Sequence, residues 1–420
     1  MLGVSILYGI YIVMKIYIAV MQAGFVSKAK NGKPVLMMPS TFFKSGRYAF
    51  KKQRIVILEA FVEYILFIFW MGTGLKWLDG LITIDDPLIK SVLFIDLFLA
   101  INYLVTLPFD IYTKFVLDEE FGFNKSTYAL FIKDQLKLAA LFLVFGSLIV
   151  YVVSWIILNV PHWWIWGFVF IFGVIILINA IYPTLIAPMF NKFTPLEDEE
   201  LKKDIEDLMQ KSGIKASGVY VVDSSKRDTR LNAYFGGLGK SKRVVLFDTL
   251  VNKLSKNELL AVLGHELGHF KHKDILKNIL MLGVMFFALF YIFANLPESL
   301  YQKIGIDPHA PYSVIAMFLL LSPVFFFFFM PLVNFVSRRN EYAADRYGSE
   351  LGGRANLRNA LLKLVEENSS FPLSHPLYIF FYHSHPPILD RLKALGFEEE
   401  SEQDEALKER CAAIDDDENR

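Results

Sequence analysis

The sequence predicts an integral membrane protein that is mainly α-helical, with a small segment of mixed helix and strand outside the bilayer. Three observations support this fold class: the composition, seven long apolar runs, and the distribution of basic residues between those runs. Hydrophobic residues make up 54% of the 420 residues, and the mean hydropathy is +0.39. An ordinary soluble domain contains about 45–50% apolar residues, so the composition favours a membrane protein.

The apolar runs are long enough to cross the hydrocarbon core of a bilayer, which takes about 20 helical residues. They predict seven transmembrane helices, at Val4–Met21, Val56–Trp77, Val92–Tyr112, Leu138–Leu158, Trp163–Ala187, Ile279–Asn295 and Ser313–Val336. No positive residue precedes the first run and no small-x-small cleavage site follows it, which favours a retained helix over a removed signal peptide.

The connections between the runs alternate in charge. The first is rich in lysine and arginine from Lys28 to Arg54, whereas the second has only Lys90 as a basic residue. The third and fifth are again basic, the fourth has no charge, and the sixth has one lysine, Lys303. By the positive-inside rule, the N-terminus is predicted outside, and Phe190–Lys277 and the C-terminus on the cytoplasmic side.

Net charge and cysteine content exclude other classes. The 43 basic and 43 acidic residues balance, so nothing favours a nucleic acid as the partner. The single cysteine, Cys411, cannot form an internal disulfide. Cys411 opens the sequence CAAI, but six residues follow it, so the chain is not expected to be prenylated through this motif.

The segment Phe190–Leu260 is predicted to form a small soluble α+β unit. Leu196–Ser212 has helical periodicity, and Gly213 is a typical helix stop. Gly218–Asp223 and Lys242–Asp248 are rich in β-branched residues as strands are, and NAYFGGLGK between them predicts a further strand with a glycine-rich turn.

A metal site is predicted in the stretch LGHELGHFKHKD. Ser255 and Glu258 have the spacing of a capping box, so a helix is expected to begin just before it. On that helix His265 and His269 lie one turn apart on one face, and both imidazoles can reach one zinc ion. Glu266 lies beside them, where it can accept a proton from water activated by the metal. The motif alone also arises by chance in unrelated chains.

A catalytic zinc site needs a third protein ligand and one open position. The candidate is Glu341 in RRNEYAADRYG, just past the seventh apolar run. Asp345 lies one turn further on, where it can accept a hydrogen bond from a ligating histidine. On periodicity alone such a glutamate is more often an exposed helix residue, but the E-x-x-x-D spacing downstream of HExxH favours the ligand.

Together, HELGH, EYAAD, NAYFGGLG ahead of RVVLFDTL, and SHPPILDRL resemble the type I CAAX prenyl protease family of membrane zinc metalloproteases. FVLDEEFGFNKST and YPTLIAPMFNKFTPL extend the resemblance over most of the chain. The resemblance implies a ring of seven helices around a water-filled chamber, capped at its cytoplasmic end by the zinc domain. The implied domains are a membrane domain at 1–187, a metallopeptidase domain at 188–395 interleaved with helices six and seven, and an acidic tail at 396–420.

The resemblance also implies the reaction and the roles of the site residues. One Zn²⁺ would be held by His265, His269 and Glu341, with Glu266 as catalytic base and Asp345 behind the ligands. Three further residues would contact the substrate or stabilise the tetrahedral intermediate: His385 as a catalytic residue, and Asn232 and Arg391 as substrate-binding residues. The implied substrate is a membrane-associated peptide or protein, including prenylated CAAX polypeptides, cleaved near its C-terminus.

Several polar residues fall inside the apolar runs, where they are costly and therefore candidates for function. Two interpretations are open: these residues pair with one another and orient the helices, or they face the water of the implied chamber. The residues are Lys15, Glu59, Glu63, Asp96, Asn102 and Asn179.

Three alternative functions share features with this sequence. A site-2-type intramembrane protease is disfavoured, because the LDG at Leu78–Gly80 precedes HELGH and lysines flank the HELGH helix. An HtpX-like quality-control protease shares the zinc chemistry, but it has a shorter N-terminal membrane part. A transporter or channel with a vestigial zinc motif represents a different class.

The short sixth connection and the absence of a retrieval signal predict a bacterial inner-membrane homologue, expected to be monomeric.

Overall fold

The structure, a computed structural model, describes residues 2–213, 218–237 and 242–397. Most of the predicted acidic tail lies outside the described residues. The described chain is mainly helical. Seven of its helices are long and apolar enough to cross a membrane: α1 (Leu2–Ala29), α2 (Pro39–Leu81), α3 (Pro87–Phe121), α4 (Tyr128–Asn159), α5 (Trp163–Phe190), α9 (Asp274–Ala294) and α11 (Pro311–Gly352).

The seven helices coincide with the seven predicted runs, with only Asn295 falling one residue beyond its helix. Most extend well past the run that predicted them, because amphipathic turns continue each helix into the polar connections. In α11 the apolar span and the predicted site residues Glu341 and Asp345 belong to one unbroken helix of 42 residues. This helix therefore carries the membrane span directly into the predicted site.

The membrane helices close into a ring. Each contacts the next in the order α1, α2, α3, α4, α5, α9, α11, and α11 returns to contact α1. At the end of the ring remote from Glu341, a cluster of buried apolar residues joins several of these helices. There Trp70 is fully buried, and the ring centroids of Phe94 and Tyr312 lie 4.5 Å apart.

One ion pair and several hydrogen bonds account for most of the polar residues inside the spans. The Lys15 ammonium lies 2.7 Å from a carboxylate oxygen of Glu63, and the hydroxyl of Tyr11 donates to the other oxygen at 2.7 Å. Asp96 accepts a hydrogen bond from Ser147. Asn102 accepts one from Trp70, and the Asn179 amide donates to a carbonyl of its own helix. Within the described residues, Glu59 has no hydrogen bond or ion pair, so pairing leaves it unexplained.

The soluble unit contains a four-stranded sheet. Its strands are β1 (Phe193–Pro195), β2 (Val219–Val222), β3 (Ala233–Gly236) and β4 (Arg243–Phe247). Their order is β1-β2-β4-β3, with β2 and β4 parallel and both outer pairs antiparallel. This confirms the three predicted strands and adds β1, which is too short to show a strand pattern.

Seven shorter helices of the described chain lie between or after the membrane helices. They are α6 (Glu199–Lys211), α7 (Asp248–Val251), α8 (Lys256–Lys271), α10 (Glu298–Ile304), α12 (Arg354–Glu367), α13 (Pro376–Tyr382) and α14 (Ile388–Ala394). Among them α6 and α8 pack against the sheet, whereas α10 packs against the membrane helices. The predicted helix stop at Gly213 is confirmed by its positive φ of 69°. Val244 and Leu246 of β4 are fully buried in the core that the sheet shares with α6 and α8.

Helices α8 and α11 approach each other through glycines. A Cβ added at Gly268 would lie 2.8 Å from the Cα of Ala344, and one at Gly348 would lie 2.7 Å from the backbone nitrogen of His265. Further along the same contact, a Cβ at Gly352 would lie 2.4 Å from the Cα of Ala261. Contacts this short with backbone atoms leave no room for a side chain, so small residues fix the spacing of the two helices.

We expect Gly348→Ala to destabilise the protein by about 1–3 kcal/mol, because overpacking against a helix backbone forces the two helices apart. Thermal unfolding of the detergent-solubilised protein would measure the loss. Gly173→Ala is the matched control, since a Cβ there has no neighbour within 4 Å and alanine is the better helix former. Equal stability of the two variants would contradict the packing argument.

Candidate metal centre and active site

The HELGH helix begins and ends as its local sequence dictates. The capping box is present: Ser255 Oγ accepts a hydrogen bond from the backbone N–H of Glu258, and a Glu258 carboxylate oxygen accepts one from the backbone of Ser255. The chain leaves α8 after Lys271 and turns at Lys273, whose φ is 56°. Helix α9 then begins at Asp274. The turn between the two helices places this carboxylate close to His269.

His265, His269 and Glu341 meet at one point. Their candidate ligand atoms all lie within 4.8 Å of one another. Nε2 of His265 lies 3.6 Å from Oε2 of Glu341, and Nε2 of His269 lies 3.2 Å from Oε1. Two imidazole nitrogens and one carboxylate oxygen are the donor set of a catalytic zinc site with one open position. The three sequence-predicted ligands are therefore brought together by the fold.

The electrostatics of the site also suit a cation. Burial by itself would lower the pKa of His269, but Glu341, Asp274 and Glu266 outweigh that effect and raise the pKa to about 9. Oε2 of Glu341 is buried without a hydrogen-bond partner among the described residues. A concentration of negative charge with an unsatisfied buried acceptor fits a bound divalent metal.

Carboxylates lie behind both histidines. Oδ1 of Asp345 lies 2.8 Å from Nδ1 of His265, and Oδ2 of Asp274 lies 3.0 Å from Nδ1 of His269. The contact of Asp274 favours a proton on Nδ1 of His269 and leaves Nε2 free to bind a metal. Nδ1 of His265 lies close to Asp345 but does not have the geometry of a hydrogen bond.

Arg391, for which the resemblance implies a substrate contact, lies behind the metal-ligand residues and contacts Asp345 and Glu341. Its guanidinium, almost fully buried, donates two hydrogen bonds to Asp345, from Nε at 2.8 Å and from Nη2 at 2.6 Å. Its Nη1 lies 3.4 Å from Oε2 of Glu341. The bidentate geometry fixes Asp345. These contacts do not involve a substrate, so the substrate role of Arg391 stays a prediction.

His385 and Glu266 both lie beside the three candidate ligands. Nε2 of His385 lies 3.3 Å from Oε1 of Glu341, and its side chain is 61% exposed. Burial raises the pKa of the Glu266 carboxyl. A cavity of about 250 Å³ adjoins the centre, with Phe235, Glu266 and His269 in its wall. A reactant in this cavity would meet a proton-transfer group and the metal ligands together.

Asn232 lies at the start of β3. It is exposed, its side chain accepts a hydrogen bond from the N–H of Ala233, and its carbonyl accepts one from Phe247. Further along β3, the ring centroid of Phe235 lies 5.5 Å from that of Phe270 in α8. The edge strand therefore borders the cavity, which agrees with a substrate-binding position for this segment.

Sequence reasoning missed two residues that position the site. Asp274 is the last residue of the stretch LGHELGHFKHKD. Its spacing of five residues from His269 is not a helical spacing, and a break between the two helices is what brings the side chains together. Arg338 donates to the backbone carbonyls of Ile379 and His383 and so holds the connection that presents His385. An arginine in an apparently solvated helix end gives no sign of such contacts in the sequence.

Comparisons with known proteins agree with this architecture. Residues 33–192 match the family model described as "CAAX prenyl protease N-terminal, five membrane helices". Residues 195–399 match the model of peptidase family M48. The two matches are separated only by residues 193 and 194, and together they cover most of the chain.

Relatives resemble the chain over most of its length. CAAX prenyl protease 1 of Saccharomyces cerevisiae is 36% identical, with 85% of this chain and 86% of the relative covered. The Homo sapiens CAAX prenyl protease 1 homolog is 32% identical, with 85% and 83% covered. The crystal structure of S. mikatae Ste24p matches with a TM-score of 0.85 and 33% identity, over 94% of this chain and 98% of that chain. These similarities confirm the predicted fold class.

We expect Asp274→Asn to weaken metal binding about 10- to 100-fold, because the amide no longer sets the tautomer of His269 and no longer raises its basicity. Titration of the metal-loaded protein with a chelator of known affinity measures this directly, without an activity assay. Asp307→Asn, in the connection between α10 and α11, is the matched control. An unchanged metal affinity in Asp274→Asn would show that this carboxylate does not support the ligand.

Proposed function

We propose that this chain, which belongs to the CAAX prenyl protease 1 group of peptidase family M48, cleaves CAAX-type polypeptides near their C-terminus. It is an integral membrane metallopeptidase with multiple membrane helices. The observation that carries the proposal is the meeting of His265, His269 and Glu341 beside Glu266, at the end of a seven-helix ring. The match to the five-helix CAAX model favours this function over the HtpX-like alternative, and the assembled site removes the support for a vestigial motif.

The proposed metal is one Zn²⁺ per chain, held by His265, His269 and Glu341. The donor set supports zinc, because two imidazoles with one carboxylate are typical of zinc peptidases. When bound, the ion supplies a Lewis acid for the scissile carbonyl and lowers the pKa of water to about 7. Asp274 keeps the ring of His269 in the tautomer that binds a metal.

Glu266 is the proposed proton carrier. It takes one proton from the attacking water as the oxygen bonds to the scissile carbonyl carbon, and it gives that proton to the amine nitrogen as the C–N bond breaks. A raised pKa suits both transfers, since the carboxyl must release its proton as readily as it takes it. His385 lies on the exposed side, where its ring can donate to the oxygen on which negative charge develops.

The proposed substrate binds to β3 as an added strand. This strand forms one edge of the sheet, and among the described residues it pairs only with β4. Its free backbone groups can hydrogen-bond an extended peptide. Asn232 at one end of β3 and Phe235 at the other bracket the proposed binding segment.

We place the catalytic unit on the cytoplasmic side of the membrane, in an orientation supported by the alternation of basic connections. A site at the end of a helical ring, at the membrane boundary, suits peptides that a lipid or a membrane segment holds at the surface. The substrates proposed here include prenylated polypeptides, and the protein is proposed to act as a monomer. A bacterial inner membrane rather than the endoplasmic reticulum stays a prediction from the sequence.

Glu266→Gln is expected to lower peptide hydrolysis by at least 10²- to 10⁴-fold, because the amide cannot accept the proton of water, while zinc remains bound. The assay is chelator-reversible cleavage of a CAAX peptide by the purified protein, in farnesylated and unmodified forms. Metal content measured on the same samples is the control. Full activity in the variant with zinc still bound would contradict the proposed mechanism, and equal cleavage of both peptides would remove lipid recognition from the proposal.

The proposed orientation is tested by cysteine labelling in intact cells. In a variant lacking Cys411, a cysteine introduced at Lys303, in helix α10 between the membrane helices α9 and α11, is expected to react with a membrane-impermeant maleimide. A cysteine introduced at Glu199, the first residue of α6, is expected to react only after the cells are permeabilised. Both positions are exposed, so the reverse labelling pattern would contradict the proposed orientation.

A further inference from the structure

A second cavity lies at the far end of the edge strand β3, and we propose that it binds the free α-carboxylate at the substrate's C-terminus. We name it the tail cavity; its volume is about 290 Å³, and Lys52, Gln53, Arg230, Asn368 and Tyr378 are in its wall. The inference rests on the proposed function, because it specifies how that site would recognise the end of a CAAX polypeptide.

The strand connects the two cavities. Phe235 is in the wall of the cavity that contains Glu266 and His269, and Leu231 immediately precedes Asn232 at the other end of the segment. A strand rises about 3.3 Å per residue, so Leu231 lies about 13 Å along the chain from Phe235. A peptide added to this edge therefore has a defined path from the metal centre to the tail cavity.

Asn368 fixes the start of this path. Its Oδ1 accepts a hydrogen bond from the N–H of Leu231 at 2.7 Å, and its Nδ2 donates to the carbonyl of Leu231 at 3.2 Å. Because Asn368 is also in the wall of the tail cavity, that cavity lies where the edge strand begins. The two hydrogen bonds therefore hold the residues before β3 against the wall of the tail cavity.

The tail cavity is suited to an anion. Two cationic side chains line it, Lys52 and Arg230, and none of its described lining residues is acidic. Arg230 already shares its charge, since Nη2 lies 2.9 Å from Asp118 and Nε lies 3.3 Å from Asp228. Within the described part of the chain, the exposed Lys52 has no ion pair within 4.0 Å. Lys52 is therefore the cation available to a ligand.

Gln53 gives a second, independent indication of a ligand. Its side chain is buried, at 3% exposure. Its Nε2 donates to the hydroxyl of Tyr378 at 3.3 Å, whereas its Oε1 is buried without a hydrogen-bond partner among the described residues. An unsatisfied buried amide is costly. Rotation of this amide would let its oxygen accept from Tyr378 and its N–H groups face an anion in the cavity.

The length of a CAAX tail is of the same order as the path of about 13 Å from Phe235 to Leu231. Three residues follow the cysteine in such a tail, and three extended residues span about 10 Å. A peptide antiparallel to β3 has its C-terminus directed towards Leu231 and the tail cavity. With its carboxylate held by Lys52, the bond about three residues upstream lies beside Glu266. The tail cavity would thus set the cleavage position by measuring from the end of the chain.

The test compares two substrates that differ only at their last atoms. The zinc-loaded full-length enzyme is assayed for kcat/KM on a CAAX peptide with a free C-terminal acid and on the same peptide as a C-terminal amide. We expect the acid to be preferred about 10- to 100-fold, the usual value of a charge-assisted hydrogen bond.

Lys52→Met should reduce this preference to near unity by slowing the cleavage of the acid peptide alone, and Lys52→Glu should favour the amide peptide. Lys52→Arg should restore preference for the acid.

Lys44→Met is the matched control, because Lys44 lies on the same helix α2, is exposed and does not line the tail cavity; its acid preference should stay at the wild-type value. An equal loss for acid and amide in Lys52→Met, or equal cleavage of the two peptides by the wild type, would overturn the carboxylate proposal while leaving the protease function intact. Failure of the zinc-loaded wild type to cleave either peptide would overturn the proposed function and, with it, the role of this cavity.

Discussion

The close contact between helices α8 and α11 is the constraint on which the metal centre depends. Two ligands come from α8 and the third from α11, 72 residues later in the chain than His269. Glycines at the contact let the backbones approach until a Cβ at Gly348 would lie within 3 Å of His265. Since a metal bond tolerates only a few tenths of an ångström, the absence of side chains between the helices is what permits coordination.

Residues that contact the candidate ligands and His385 from behind connect the metal centre to other segments of the protein. Arg391 of α14 holds Asp345, Asp274 of α9 supports His269, and Arg338 of α11 holds the connection that carries His385. Each partner belongs to a different segment, so the geometry of the centre depends on the assembled fold. The edge strand β3, anchored through Leu231, is tied to the same assembly.

Much of this architecture could be predicted from the sequence, because the determinants are local or periodic. The length of the apolar runs predicted the membrane helices, and the capping box predicted the start of α8. The spacing of four residues predicted that His265 and His269 share one face of that helix. Asp274 was not predicted as a partner of His269, because Lys273 has a left-handed conformation and interrupts the helix between them. The contact of Arg391 with Asp345 was not predicted, because the two residues are 46 positions apart and single-sequence patterns carry no information on such contacts.

The pairing of Arg391 with Asp345 also has a consequence for biosynthesis. A chain emerges from the ribosome N-terminus first, so the HELGH helix and the third ligand are made before Arg391. Until α14 has been synthesised and docked, Asp345 lacks its bidentate partner. The ligand set is therefore complete in the nascent chain before the arginine that holds Asp345 has been made.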